Sequence, residues 1–245
     1  MHNAVEAIIL CGGAGTRLRS VTGDAPKSLA CIGERPFLEI LLRQLRRFDF
    51  ERVILAVGYQ KDLIRSYFGE EWSGLTIRYA IESRPLGTGG ALRNALGLIT
   101  SDLVLIMNGD SYTDADLSSF LVDYQNANTD VSVLLVPADG RTDCGVVSVN
   151  SDGTIRGFRE KQSVLGNNYV NAGVYMASKR ILAEIQPDVR ASLEAELFPR
   201  WIGEGKRLRA YHHVGQCIDI GTPERFQYAQ TALAHAEPSQ ISEAR

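Results

Sequence analysis

Apolar residues recur along this chain in two alternating rhythms. Largely apolar runs stand at residues 5–10, 52–57, 75–81, 103–107 and 131–136. Between them, at 36–45, 61–68, 87–98 and 116–126, apolar residues are spaced three and four apart. The first pattern predicts buried strands, the second helices packed on a sheet. Pro36 is expected at the first position of its helix. Strand and helix in alternation predict an α/β fold, a doubly wound and mostly parallel sheet.

The second half of the chain changes character. Residues 145–149 and 154–158 flank Asn150-Ser151-Asp152-Gly153, and Asp-Gly between two such runs is a strong hairpin signal. Residues 170–176 read as another strand, and 192–204 and 222–235 as helices. The expectation is an antiparallel extension of the sheet that covers the substrate. No linker divides the chain, so residues 1–236 are expected to form one domain, with a polar tail over 237–245.

Chemistry first appears after the opening strand. Residues 5–10 run into Cys11-Gly12-Gly13-Ala14-Gly15-Thr16-Arg17-Leu18, and Pro26-Lys27 follows. Glycine permits positive φ and close approach of backbone to a ligand. Bare N–H groups at the carboxyl end of a first strand make a phosphate cradle. Arg17 and Lys27 add cations suited to a polyphosphate. Two other phosphate motifs are excluded. No Gly-x-x-x-x-Gly-Lys-Ser/Thr run exists, and Leu18 stands where Gly-x-Gly-x-x-Gly needs its third glycine.

Composition narrows the partners. The net charge is −3, which argues against nucleic acid, since that wants a basic face. No basic region precedes an apolar stretch at the N-terminus, and no apolar run is long enough for a membrane span. The four cysteines, Cys11, Cys31, Cys144 and Cys217, are scattered. Reduced thiols in a cytoplasmic protein are expected, not a zinc site or disulfide framework.

The glycine loop with Thr16-Arg17-Leu18 and Pro26-Lys27 resembles the sugar-1-phosphate nucleotidyltransferases, whose signature is Leu-x-Gly-Gly-x-Gly-Thr-Arg-Leu followed by Pro-Lys. The later segments Pro85-Leu86-Gly87-Thr88-Gly89-Gly90-Ala91, Asn108-Gly109-Asp110, Glu160-Lys161, Asn171-Ala172-Gly173 and Asp219-Ile220-Gly221 stand in that family's order. Two departures are Ser28, where a second proline is common, and Cys144 before Gly145, where an aromatic is usual. The resemblance implies a Rossmann-like, GT-A-like fold, with a nucleotide-binding half over about 1–136 and a sugar-phosphate-binding half over about 137–236. It is greatest toward the bacterial D-glycero-α-D-manno-heptose-1-phosphate guanylyltransferases, which make GDP-heptose for capsule or surface-layer polysaccharide. A mannose-1-phosphate guanylyltransferase, a uridylyl- or thymidylyltransferase and a non-catalytic nucleotide-sugar sensor remain alternatives. No hexapeptide repeat follows, so no acyltransferase half is expected.

The resemblance also distributes roles. Leu10, Gly12, Gly13, Gly15, Thr16, Arg17, Glu82, Gly87, Thr88 and Asp110 are expected at the nucleotide. Gly145, Glu160, Lys161 and Asn171 are expected at the sugar phosphate. Arg17, Lys27, Asp110, Lys161 and Asp219 form the expected catalytic set. Asp110 and Asp219 would hold Mg²⁺, which favours one or two carboxylates plus phosphate oxygens and water. The plainer readings are that Asn-Gly-Asp is a turn and that Asp219 precedes a helix start. Asp114 and Asp116 are read as helix-start residues, and His212 and His213 as strand residues. Glu82 bears on the base. Guanine presents N1–H and N2–H₂ on one edge, and a carboxylate can accept both. Uracil and thymine present one N–H between two acceptors. GTP and a sugar 1-phosphate are therefore the expected partners, and the resemblance implies a homodimer.

Overall fold

Ile8 and Ile9 point to opposite faces of the first strand, and each face lies under its own set of side chains. The computed structural model describes residues 5–13, 15–138, 146–159 and 169–233. Its ten-stranded sheet comprises β1 (Glu6–Leu10), β2 (Arg52–Val57), β3 (Glu71–Trp72), β4 (Leu75–Ile81), β5 (Leu103–Asn108), β6 (Val131–Pro137), β7 (Val146–Val149), β8 (Ile155–Arg159), β9 (Tyr169–Ser178) and β10 (Leu208–His212). Ala7 and Ile9 pack under the helices Phe37–Arg47, Leu117–Asn126 and Pro223–Ala232. Ile8 packs with Leu92, Phe198 and Trp201, from the helices Gly87–Ala95 and Phe198–Gly203. Burial on both faces is why β1, β2 and β5 read as near-continuous apolar runs, whereas β4, with Thr76, Arg78 and Ile81 exposed, reads as an alternating one.

The strand order is β8-β7-β9-β5-β1-β2-β4-β3, with β6 paired to β9 and β10 to β6. β1 is parallel to both β2 and β5, with Ile8 opposite Ile54 on one side and Ile106 on the other. The chain leaves β1 toward β2 and β4, then returns to lay β5 on the other side. That reversal is a topological switch point, and it opens a crevice at the carboxyl ends of β1 and β5. Glu6 anchors the strand's other end. Its buried carboxylate accepts the N–H groups of Thr100 and Ser101 at 2.6 and 2.8 Å, and the Thr100 hydroxyl at 3.0 Å.

The antiparallel part is built on β9, which pairs with β5, β6 and β7; β7 and β8 form the expected hairpin. The β9–β6 register breaks between Asn171 and Tyr175. Gly173 sits in that break with φ +75°, and a Cβ there would lie 2.7 Å from Asn108 Nδ2. A side chain at this left-handed position would push aside that of Asn108 at the end of β5, so glycine fits here.

Several boundaries differ from expectation. Pro36 caps its helix with an extended ψ of 142° instead of starting it. The helix at Gly87 ends at Ala95 and finishes as a 3₁₀ turn over Leu96–Leu98. Asp116 does cap a helix, accepting from Ser118 and Ser119. Asp114 does not: its Oδ1 meets His213 Nε2 at 2.6 Å and the Gln216 N–H at 2.8 Å. β10 stops at His212, so His213 lies beyond the strand. Among the described residues no helix is long and apolar enough to cross a membrane.

Candidate active site

The crevice at the switch point is a cavity of about 410 Å³. Leu10, Gly12, Gly13, Gly15, Thr16 and Arg17 line it from the β1 side, and Lys27 from the segment beyond. Glu82, Gly87 and Thr88 line it from β4 and the helix after it, and Asn108, Gly109 and Asp110 from the end of β5. Ten residues expected at the nucleotide therefore surround one space, although 100 positions separate the first from the last.

The glycines are fixed by contact. Gly15 has φ +57°, and a Cβ on it would lie 2.8 Å from Lys27 Cβ. Gly109 donates its N–H to Leu10 O at 3.0 Å, and a Cβ there would lie 2.6 Å from that same oxygen. Gly87 has φ +71°, and a Cβ on it would strike the Ala191 carbonyl at 2.5 Å. These contacts draw the loop after β1, the end of β5 and the segment around Ala191 around the cavity.

One end of the cavity is charged. Lys27 Nζ donates to Asp110 Oδ2 at 2.8 Å. The strand Ser111–Thr113 pairs antiparallel with Cys217–Asp219, placing Asp219 opposite Ser111. The Ile220 N–H then donates to Asp110 O at 2.9 Å. This ribbon brings the two distant aspartates to one corner. Around the point where a Gly221 side chain would begin stand Asp219 Oδ1 at 2.9 Å, Lys27 Nζ at 3.6 Å and Arg17 Nη2 at 3.8 Å. Two carboxylates among hard oxygen donors suit a divalent cation completed by phosphate oxygens and water. Among the described residues there is no cluster of three or more metal-ligating side chains. The buried Cys11 thiol in the wall has its pKa pushed far up by burial and then by Asp110, so it stays protonated and is no ligand.

The other end carries Glu82. Its carboxyl oxygens would lie 3.2 and 3.3 Å from a Cβ on Gly12, and Oε2 accepts the Leu86 N–H at 3.2 Å. Burial raises its pKa, and the Leu86 bond only partly offsets this.

Thr88 has a second task. Its hydroxyl donates to Glu194 Oε2 at 3.2 Å and accepts the Leu193 N–H at 2.7 Å. Tyr175 donates to Glu194 Oε1 at 2.7 Å and accepts from Asn171 Nδ2 at 2.8 Å. Asn171 Oδ1 takes the Gly173 N–H at 2.9 Å. Asn171 is thus tied into the frame beside the cavity and is not one of its lining residues. Asn108 Oδ1 is buried without a hydrogen-bond partner among the described residues, which leaves an acceptor at the cavity wall. Gly145, Glu160 and Lys161 lie outside the described residues.

The sequence reading passed over Arg190, which lines the cavity near Pro85 and Gly87, and Arg225, which pairs with Asp219. Arg190 is an isolated cation in a polar stretch and carries no local signal. Arg225 follows Pro223 by two residues, a place that reads as ordinary helix surface.

A doubly wound sheet with a glycine loop, two cations and two carboxylates at its switch point defines an α/β enzyme built to bind a nucleotide's phosphates. The sequence matches the Nucleotidyl transferase family over residues 6–236, and the chain belongs to that family. It is 35% identical to the D-glycero-alpha-D-manno-heptose 1-phosphate guanylyltransferase of Aneurinibacillus thermoaerophilus, over 94% of this chain and 99% of that protein. The mannose-1-phosphate guanylyltransferase of Mycobacterium tuberculosis is 33% identical over 91% of this chain, which spans 62% of that longer protein. The crystal structure of HddC from Yersinia pseudotuberculosis complexed with GMP-PN superposes with a TM-score of 0.82 at 31% identity, covering 94% of this chain and 99% of that one.

Proposed function

We propose that this enzyme transfers GMP from GTP to D-glycero-α-D-manno-heptose 1-phosphate, releasing pyrophosphate and forming GDP-heptose for surface polysaccharide. By family and by its guanylyltransferase relatives the chain is a sugar-1-phosphate guanylyltransferase. The observation that carries the choice of base is Glu82, whose carboxyl group packs against Gly12 on the cavity wall. An ionised carboxylate there accepts N1–H and N2–H₂ of guanine together. The heptose is favoured over mannose because the heptose-specific relative matches along its whole length, while the mannose-specific one extends well beyond the match. Mannose 1-phosphate is the second reading.

The reaction needs little from a general base. The acceptor is a sugar phosphate oxygen, already ionised at neutral pH. It attacks the α-phosphorus of GTP, the bond to the β-phosphate oxygen breaks, and pyrophosphate leaves. Positioning and charge neutralisation then carry the rate. Arg17 and Lys27 hold the phosphates that leave, with backbone N–H groups of the glycine loop beside them. Glu82 and the start of the helix at Gly87 hold the base. Lys161, Glu160 and Gly145 take the roles at the sugar phosphate that the resemblance gives them, and Asn171 braces that side. Asp110 and Asp219 would hold a divalent cation, Mg²⁺ by their chemistry, which when bound neutralises charge on the α-phosphate and the departing pyrophosphate.

The test is pyrophosphate release with Mg²⁺ across GTP, ATP, CTP, UTP and dTTP and the 1-phosphates of mannose, glucose and the heptose. Release with GTP and the heptose phosphate supports the proposal. Preference for mannose 1-phosphate would move the second reading to first place. Preference for UTP or dTTP would overturn the role given to Glu82 and leave the phosphate chemistry standing.

A further inference from the structure

Asp219 does not meet the cavity alone. Nη1 of Arg225 lies 2.8 Å from each of its two carboxylate oxygens. Arg225 sits in the first turn of the helix Pro223–Ala232, and Thr222 Oγ1 caps that turn by accepting the Arg225 N–H at 3.3 Å. The cap fixes the backbone, and the guanidinium reaches back over a residue six positions earlier. Lys27 occupies Asp110 in the same manner, at 2.8 Å. Each carboxylate in this corner is thus already matched with a cation of the protein, and Arg17 adds a third cation close to Gly221. Among the described residues, then, neither Asp110 nor Asp219 stands as a bare carboxylate before any ligand arrives.

A dication approaching such a corner meets carboxylates already paired with protein cations, which it must displace or share. A triphosphate meets attraction. It also offers Lys27 and Arg17 new partners, which frees Asp110. We propose that Arg225 is a positioning residue that keeps Asp219 charge-compensated, so that the enzyme takes up its divalent cation together with the nucleotide and not before it. The proposal rests on the reading of Asp110 and Asp219 as cation ligands. Its content is the order in which charge enters the site and the residue that imposes it.

Mn²⁺ is the probe, with the broadened electron paramagnetic resonance signal of protein-bound metal followed in the full chain, with and without GTP. The wild-type protein is expected to show this signal with GTP and to bind Mn²⁺ weakly without it. Arg225→Met should bind Mn²⁺ without nucleotide about tenfold more tightly or better, since one nearby positive charge is gone. Arg225→Lys, which restores the charge, should return to the wild-type pattern. If thermal unfolding shows that Arg225→Met does not fold, Arg225→Gln carries the same expectation. Nucleotide-free binding no tighter in the neutral variant than in wild type overturns the proposal. Asp219→Asn separates the underlying reading: loss of the signal with GTP supports Asp219 as a ligand, and an unchanged signal overturns both the ligand assignment and the role given to Arg225.

Discussion

Lys27 Nζ and Asp110 Oδ2 stand 2.8 Å apart across 83 residues of sequence. The pair closes the charged end of the cavity, joining the segment after the glycine loop to the end of β5. Lys27 is largely buried and Asp110 is 42% exposed, so the pair is worth little as a stabilising salt bridge. Under the proposed function its value lies in holding a cation where pyrophosphate would depart. Lys27→Met should therefore lower kcat/KM by about 10²–10³, comparable to removing one preorganised charge-stabilising donor. The melting temperature should move little. Steady-state pyrophosphate release and calorimetry on the same preparation check both halves.

If Glu82 accepts the base as proposed, guanine binding should depend on pH. Burial raises its pKa, so protonation begins at a higher pH than for an ordinary carboxyl. A protonated Glu82 cannot accept both guanine donors. KM for GTP should rise as pH falls through that raised pKa, while the sugar phosphate's KM follows its own course. Glu82→Gln should bind GTP weakly at all pH values and lose this acid limb. It should also make the free protein slightly more stable at neutral pH, because the native state no longer buries a charge there. A pH series of KM for wild type and variant, with melting curves at pH 7, tests these signs.

Gly15 offers a test of close approach. With φ +57° and Lys27 Cβ 2.8 Å from where its own Cβ would stand, Gly15→Ala meets both backbone strain and a clash. The backbone strain costs on the order of 1–3 kcal/mol. The clash displaces Lys27 from Asp110, so turnover should fall nearly as far as in Lys27→Met. Gly13→Ala is the control, since a Cβ there meets nothing within 4 Å and φ is not positive. Near-wild-type stability with Gly15→Ala would refute the strain argument.

Glu6 predicts where acid destabilises the fold. Burial alone would raise its pKa, but the N–H groups of Ser101 and Thr100 and the Thr100 hydroxyl outweigh it and hold the value below that of an ordinary glutamate. A lowered folded pKa means stability that is present above the unfolded value and lost as pH falls through the folded one. Glu6→Ala strands two buried N–H donors and should cost about 2–3 kcal/mol at neutral pH. The gap between wild type and variant should narrow as pH falls below the ordinary glutamate range. Urea titrations at pH 7 and in acid measure the difference.

The strands and most helices were legible because burial on both sheet faces leaves a local mark. Arg52–Val57, Lys61–Phe68 and Leu75–Ile81 begin and end where the apolar spacing says they should. The glycine loop was legible too, since three glycines with Thr16-Arg17-Leu18 and Pro26-Lys27 have no cheaper use. Sequence order and the doubly wound pattern also placed Asp110 at a strand's carboxyl end, where such sheets bind ligands.

What the chain's local pattern could not carry is who stands opposite whom. The ribbon of Ser111–Thr113 with Cys217–Asp219 is three residues per strand, too short for a periodicity, yet it brings Asp219 beside Asp110. Asp114 read as a helix start because it lies near one; its partner His213 is 99 residues away. Arg225 read as helix surface because the distance to Asp219 depends on how the helix start folds back on the ribbon. Local sequence determined the elements and the chemistry each could bring. Only tertiary structure decided which charges meet, because Coulomb energy depends on distances in space, and those are set by strand order and packing.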